Sequence, residues 1–399
     1  MKTTMSSRER ILATCAHQPV DHVPLHLEVH PSYLQYDPQV ATWRDQFERT
    51  DALLALGVDA MSEVWLPDPS FYPDVRVCTW REERDGEVLL GKEYSTPAGP
   101  LRQIIRETPD LYTWHKINRN TRGPIADLID GVGLLEDVNP SRSVEFLVKG
   151  PEDLPRMRYL FQPLSGAALD RWREDALYAK REAEKRRVIF LARRTWCGSA
   201  LLWLTDVQQS ICTFKTDPGF VDELLEIIHG WQMLTLARVL EIGVDMVTRF
   251  GYYDIPDFWG RKYFDRYLCP RMDAEADLVH AAGALLSQQQ SEGLTQQVDL
   301  YKAMKVDVLR DVDPVQGGED MALLKRELGA TKTLMGGING DLHLANASAE
   351  GIEETVRRTL ELMAPGGGFI MHVIPGVYGG VPWSNVLRLI ESWRKQAGG

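Results

Sequence analysis

Acids, guanidiniums and imidazoles recur along this chain at the ends of short apolar runs, and their types define the chemistry available to it. His26, Glu28 and His30 alternate, so an extended strand places all three on one face. Two imidazoles and a carboxylate on one face are a set that holds zinc or iron; the alternative is a packed histidine beside groups bonded to backbone. Glu63, together with Asp254 in YYDIPDFWG, offers two carboxylates whose protonation states can be split for general acid–base work. Helix capping is the structural alternative for the second acid. Arg193, Arg249 and Arg310 each end, or nearly end, an apolar run. Converging guanidiniums would grip a carboxylate or phosphate bidentately, unless they pair with Asp245, Asp254 or Asp311. His372 is a proton donor or a core histidine. Gln288 and Gln290 flank Gln289 in LSQQQSEG, and Asn339 and Asp341 follow the glycines of GGING. These offer neutral donors and acceptors beside backbone that can approach a ligand closely, or serve turns. Tyr252, with nearby tryptophans and tyrosines, offers an aromatic wall or core packing.

Chemistry of this kind needs a frame that brings distant segments together. Strands are expected at 22–29, 58–64, 188–193, 245–250, 284–289, 306–310, 333–338 and 369–373, each short and apolar. The phrases LGVDAM, EIGVDMV, HAAGALL and ELGATKTL put a glycine just past a helix end, where a left-handed cap is wanted, and then start a strand. Alternation of strand and helix with short connections predicts parallel βαβ units, and eight such strands predict an α/β fold, a (β/α)8 TIM barrel. An N-terminal helix capped at Ser6 or Ser7, with Ile11 and Leu12 buried, should precede it. Residues 67–187 form the main insertion of a single domain over 1–399. It contains a hairpin turning at Asp85-Gly86 and a charged amphipathic helix over 169–186. In such a barrel, residues at the C-terminal strand ends form the active site.

A net charge of −12 without a basic block gives a polyanion nothing to bind, which argues against nucleic acid. No apolar run approaches the roughly 18 residues of a membrane span, and the first residues are too polar for a secretion signal. The five cysteines are scattered, with no CxxC pair; they read as reduced thiols, hence a cytoplasmic chain.

The segments RFGYYDIPDFWGRKYFDRYLCPRM, HAAGALLS, DVLRDVDPVQ, KTLMGGINGD and APGGGFIMHVIPG, with the opening SSRERILATCAHQPVDHVP, resemble successive strand ends and the start of the uroporphyrinogen decarboxylase superfamily. That superfamily also contains zinc-dependent methyltransferases that act with corrinoid proteins. The resemblance implies the barrel, a homodimer, and a catalytic carboxylate at Glu63 of SEVW. It also exposes departures. The arginines that grip substrate carboxylates after the first strand are matched by Glu28 and Ser32 of LEVHPSYL, and a carboxylate repels what a guanidinium attracts. Uroporphyrinogen itself, with eight carboxylates, is therefore not expected as the substrate. The zinc ligands of the methyltransferases fall on Gln289, Ser291 and Val377, poor ligands or none.

The expected function is metal-free proton transfer of the decarboxylase type on a small anionic substrate, without a cofactor. Glu63, Asp254 and His372 would handle protons. Arg193, Arg249, Arg310, Gln288, Gln290, Asn339 and Tyr252 would bind. Two alternatives stand beside it. One is a methyltransferase that hands a methyl group to a corrinoid protein, with any non-standard metal held by His26, Glu28 and His30. The other is a barrel that binds a tetrapyrrole or corrinoid without turnover.

Overall fold

The computed structural model describes residues 3–29, 43, 45–108, 140–195, 198–378 and 380–397. Its strands, in chain order, are β1 (Leu25–His26), β2 (Met61–Trp65), β3 (Arg76–Arg84), β4 (Glu87–Thr96), β5 (Gly99–Arg106), β6 (Ser143–Glu145), β7 (Ile189–Thr195), β8 (Met246–Phe250), β9 (Leu285–Gln289), β10 (Val308–Val312), β11 (Thr333–Asn339) and β12 (Phe369–Ile374). Eight of them form one sheet in the order β1-β12-β11-β10-β9-β8-β7-β2, every pairing parallel. The edge strands meet at a single parallel bridge between His26 and Asp59, where the Asp59 amide donates to the Leu25 carbonyl at 2.7 Å. The sheet thereby curls into the expected TIM-like barrel. The first strand is shorter than its apolar run because Pro24 has no N–H to give the ladder; beyond it only Val29 pairs, with Val377.

Side-chain parity separates two cores. Ile189, Leu191, Met246, Val308, Met335 and Ile370 face inward and meet Ile11 of helix Ser7–Cys15, which plugs the lower end of the ring. Ser6 caps that helix in a box with Glu9. Phe190, Ala192, Val247, Leu286, Leu309, Leu334 and Met371 face outward beneath the surrounding helices. Both faces of a parallel sheet are buried, so period two alternates apolar with apolar along the lower strand and becomes chemical only near the upper ends.

Gly57, Gly243 and Gly283 take positive φ at their helix ends as the repeated phrases require. Gly329 does not: its φ is −64°, and a Cβ there would come within 2.5 Å of the Lys325 carbonyl oxygen, so close approach selects the glycine. In the insertion, β3, β4, β5 and β6 make an antiparallel sheet, and β3 turns into β4 at Asp85 and Gly86, both with positive φ. Helix Gly166–Arg186 buries Trp172, Ala176, Ala179 and Ala183 and leaves its charged side to solvent. Among the described residues no helix is long and apolar enough to cross a membrane.

Beneath the closing bridge, Arg10 is 3% exposed. It reaches Asp21 at 2.7 Å, the Met5 carbonyl at 2.7 Å, and Asp59. Burial pushes the Asp59 carboxyl up to about 6 despite Arg10. Removing the cation would leave that acid and Asp21 without their shared partner. Arg10→Met is therefore expected to lower stability by about 3–5 kcal/mol in urea unfolding. Arg8→Met, which removes the half-exposed partner of Asp245, should cost no more than about 1 kcal/mol. Equal losses for the two variants would refute the buried lock.

Candidate functional site

At the upper end of the ring the inward positions change from aliphatic to ionisable. Arg193 on β7 places Nη2 2.5 Å from Glu28 Oε2 and Nε 2.5 Å from Glu63 Oε2. Arg310 on β10 binds the same Glu28 oxygen through its own Nη2. Arg49 lies 3.6 Å from the other oxygen of Glu63. The backbone of Glu63 is held at both ends by Gln46, whose amide donates to the Glu63 carbonyl at 2.9 Å and accepts from its N–H at 2.7 Å. Burial alone would raise the Glu28 carboxyl, but Arg193 and Arg310 outweigh it and hold the group well below the usual carboxylate range.

Beside this lattice stand two buried histidines, His26 and His372, 5% and 0% exposed. His372 Nδ1 lies 3.0 Å from the His26 carbonyl and 3.1 Å from His26 Nδ1. A carbonyl only accepts, so the network assigns the hydrogen to His372 Nδ1, and His26 Nδ1 receives it as a lone pair. His26 is accordingly neutral. Burial first, then His372 and Arg310, push its imidazolium far below the ordinary histidine value. The far nitrogen of His372, Nε2, faces Asp311 Oδ1 at 3.3 Å. Neither atom has a hydrogen-bond partner among the described residues. Two lone pairs at that distance repel unless a proton lies between them, so the pair has a place for one transferable proton.

Asp311 reaches the mouth by a local irregularity. Strict alternation after Arg310 would turn it outward. Instead the β10–β11 register slips between Arg310 and Val312, and Asp311 adopts φ +68°, a left-handed conformation costing about 1–2 kcal/mol for most residues and less for aspartate. Gln289 holds the other carboxylate oxygen at 2.7 Å. The bulge needs room on the neighbouring strand, and Gly336 gives it: a Cβ there would lie 2.3 Å from the Val312 carbonyl oxygen. The first glycine of GGING thus serves approach by a strand, and the second, Gly337, clears the side chain of Thr359.

Several expected site residues lie elsewhere. Arg249 follows outward Val247, and its guanidinium leaves the ring for Asp254 at 2.5 Å and Glu275 at 3.1 Å, all three fully buried. Asp254 also accepts from Ser199 at 3.0 Å and from the Gly198 amide at 3.3 Å. It ties the loop after β8 to the start of helix Gly198–Leu204 and forms no pair with Glu63. Burial raises the Glu275 carboxyl, with Arg249 opposing and Asp254 adding to the rise. Gln288 accepts from Arg249 and donates to Gln290, which in turn donates to Tyr301, so both glutamines belong to this outer network. Asn339 donates to Asp313 at 2.9 Å and accepts from the amides of Asp341 and Leu342, a loop brace. The mouth keeps Glu63, Arg193, Arg310, His372 and Tyr252. Tyr252 is 36% exposed and tilts against Phe250, which in turn meets Trp65 edge-on beneath Arg193. Burial, then Asp311 and Glu28, raise its phenol.

His26 and Glu28 do share the inner face, but both are engaged, and His30 lies outside the described residues. Among the described residues no three His, Cys, Asp or Glu side chains are grouped to hold a metal ion. The positions matching the methyltransferase zinc ligands do not supply a set: Gln289 is bonded to Asp311, and Val377 is an aliphatic side chain in the buried core.

Residues 204–396 match the family model described as uroporphyrinogen decarboxylase (URO-D). No curated protein matches the chain. A methyltransferase from Methanosarcina mazei has a similar structure over 98% of this chain and 99% of its own, with a TM-score of 0.57 at 14% identity, a likeness of fold. A B12-independent methionine synthase from Shewanella sp. W3-18-1 is similar over 58% of this chain and 66% of its own, at 10% identity with a TM-score of 0.40.

Two outcomes follow. Because His26 stays neutral when folded, below pH 6.5 the unfolded chain binds a proton that the folded one refuses, and stability falls on acidification by up to about 1.4 kcal/mol per pH unit. His26→Gln should make the loss of stability from pH 6.5 to 5.5 smaller by about 1 kcal/mol in urea unfolding; an unchanged loss would contradict the neutral assignment. Gly336→Ala should cost about 1–3 kcal/mol by forcing the bulge outward, and native stability in that variant would show that the bulge does not depend on the glycine.

Proposed function

We propose that the chain is a divergent uroporphyrinogen decarboxylase-like enzyme that protonates a small substrate at the barrel mouth, in a decarboxylation-type reaction. The observation carrying this reading is the buried His372–Asp311 pair, which has a place for one proton on the inner face of the ring. In the step proposed, the bond between carbon and carboxylate breaks and carbon dioxide leaves. The electron pair stays on carbon, which takes the proton from the pair; solvent then restores it. General-acid catalysis of this kind contributes about 10²–10⁴-fold. Arg193, Arg310, Glu28 and Glu63 form a fixed charge lattice beside the reacting carbon, and Tyr252 with Phe250 and Trp65 gives an apolar wall. A carboxylate about to lose its charge gains nothing from a tight guanidinium grip, because that grip would stabilise the ground state more than the transition state. The arginines' engagement with Glu28 and Glu63 therefore suits the reaction, and it suits a substrate with one carboxylate better than a polyanion.

Methyl transfer to a corrinoid protein is the second reading, favoured by the whole-chain likeness to the Methanosarcina methyltransferase. The same proton would then go to the heteroatom that loses its methyl group. The two are separated by product: carbon dioxide from a panel of small carboxylic acids, or methylation of an added reduced corrinoid by a panel of methyl ethers and methylamines. On whichever substrate turns over, His372→Gln and Asp311→Asn should each lower kcat by about 10²–10⁴-fold with the fold retained. Near-native turnover in both variants would eliminate the pair as the proton source.

A further inference from the structure

Glu28 occupies an unusual place among the charges of the mouth. One of its carboxylate oxygens is shared by two guanidiniums that come from strands on different parts of the ring. The side chains of Arg193 and Arg310 are 7% and 2% exposed, whereas that of Glu28 is 22% exposed. Of the three side chains, Glu28 is thus the one that solvent reaches most. Two convergent guanidiniums with a carboxylate held between them are an anion subsite by construction, since the fork geometry suits a planar carboxylate. Here the anion is part of the chain.

We infer that Glu28 is a specificity-determining residue that closes a two-arginine carboxylate subsite, and that this one side chain keeps carboxylate ligands out of it. The inference rests on the barrel mouth being the functional site, and it names the ligand class that this two-arginine subsite, as distinct from the rest of the mouth, turns away. Shortening Glu28 to alanine removes a CH2–COO⁻ group, the size and charge of acetate. The cavity would then take a monocarboxylate of two or three carbons. A dianion would be matched less well, because Arg193 keeps Glu63 at 2.5 Å, so about one of the two guanidinium charges is left uncovered.

A titration of the native chain, Glu28→Ala and Glu28→Gln with sodium acetate, against sodium chloride at equal ionic strength, tests this by calorimetry and thermal unfolding. Glu28→Ala should bind acetate saturably, at least about tenfold more tightly than the native chain, and prefer it to malonate. Glu28→Gln keeps the space filled and should bind neither. Should Glu28→Ala fold only when purified in acetate, unfolding on dialysis into chloride reports the same site. The inference is overturned if acetate acts on Glu28→Ala no more than chloride does, or acts equally on the native chain. No turnover is read, so loss of the His372–Asp311 proposal would leave this result standing, and the reverse.

Discussion

Two guanidiniums buried against one carboxylate organise this barrel. Taking a guanidinium out of water is costly unless a partner accompanies it, and Arg193 and Arg310 have theirs in Glu28, 165 and 282 residues away along the chain. The pairing stitches the segment just after β1 to β7 and β10 across the ring. It also fixes the electrostatics of everything near it. Glu28 stays ionised because the cations flank it, His26 stays neutral partly because of Arg310, and Glu63 is drawn to Arg193. A mouth balanced in this way has little free charge to offer a ligand, which leaves hydrogen-bond geometry and the placement of one proton as its chemical assets.

The secondary structure was largely legible in the sequence. All eight barrel strands fall on the apolar runs read from it, and the Asp85-Gly86 turn and the helix plug are where residue chemistry puts them. The site was legible only in part, for a specific reason. Near strand ends such as LSQQQ both faces are buried, so nothing in the local pattern tells whether Gln288 or Gln289 looks inward. The same ambiguity sent Arg249 outward with Asp254 and Glu275. Arg193 and Arg310 were recognised as strand-end cations, but their joint partner Glu28 lies too far along the chain for any spacing rule to reveal.

Asp311 illustrates a second limit. By alternation it belongs outside, and only the register slip against β11 returns it to the mouth. The trace of that slip in the sequence is Gly336, the first glycine after Met335, which gives clearance to the neighbouring Val312 backbone and not to a ligand. A bulge therefore brings a new acid into a barrel without altering the strand's apolar pattern. The outer network of Arg249, Asp254 and Glu275 works on the loops instead. By holding Gly198 and Ser199 it ties the start of the helix that follows β7 to the loop after β8.

Among the described residues the small antiparallel sheet ends in β3, which carries Arg76, Arg81, Glu82, Glu83 and Arg84, most of them exposed. An unpaired strand edge is an invitation to fibril growth, and dense charge of both signs along it makes docking of a foreign strand costly in desolvation. The appended sheet can thus remain at the periphery of a concentrated solution without seeding aggregates.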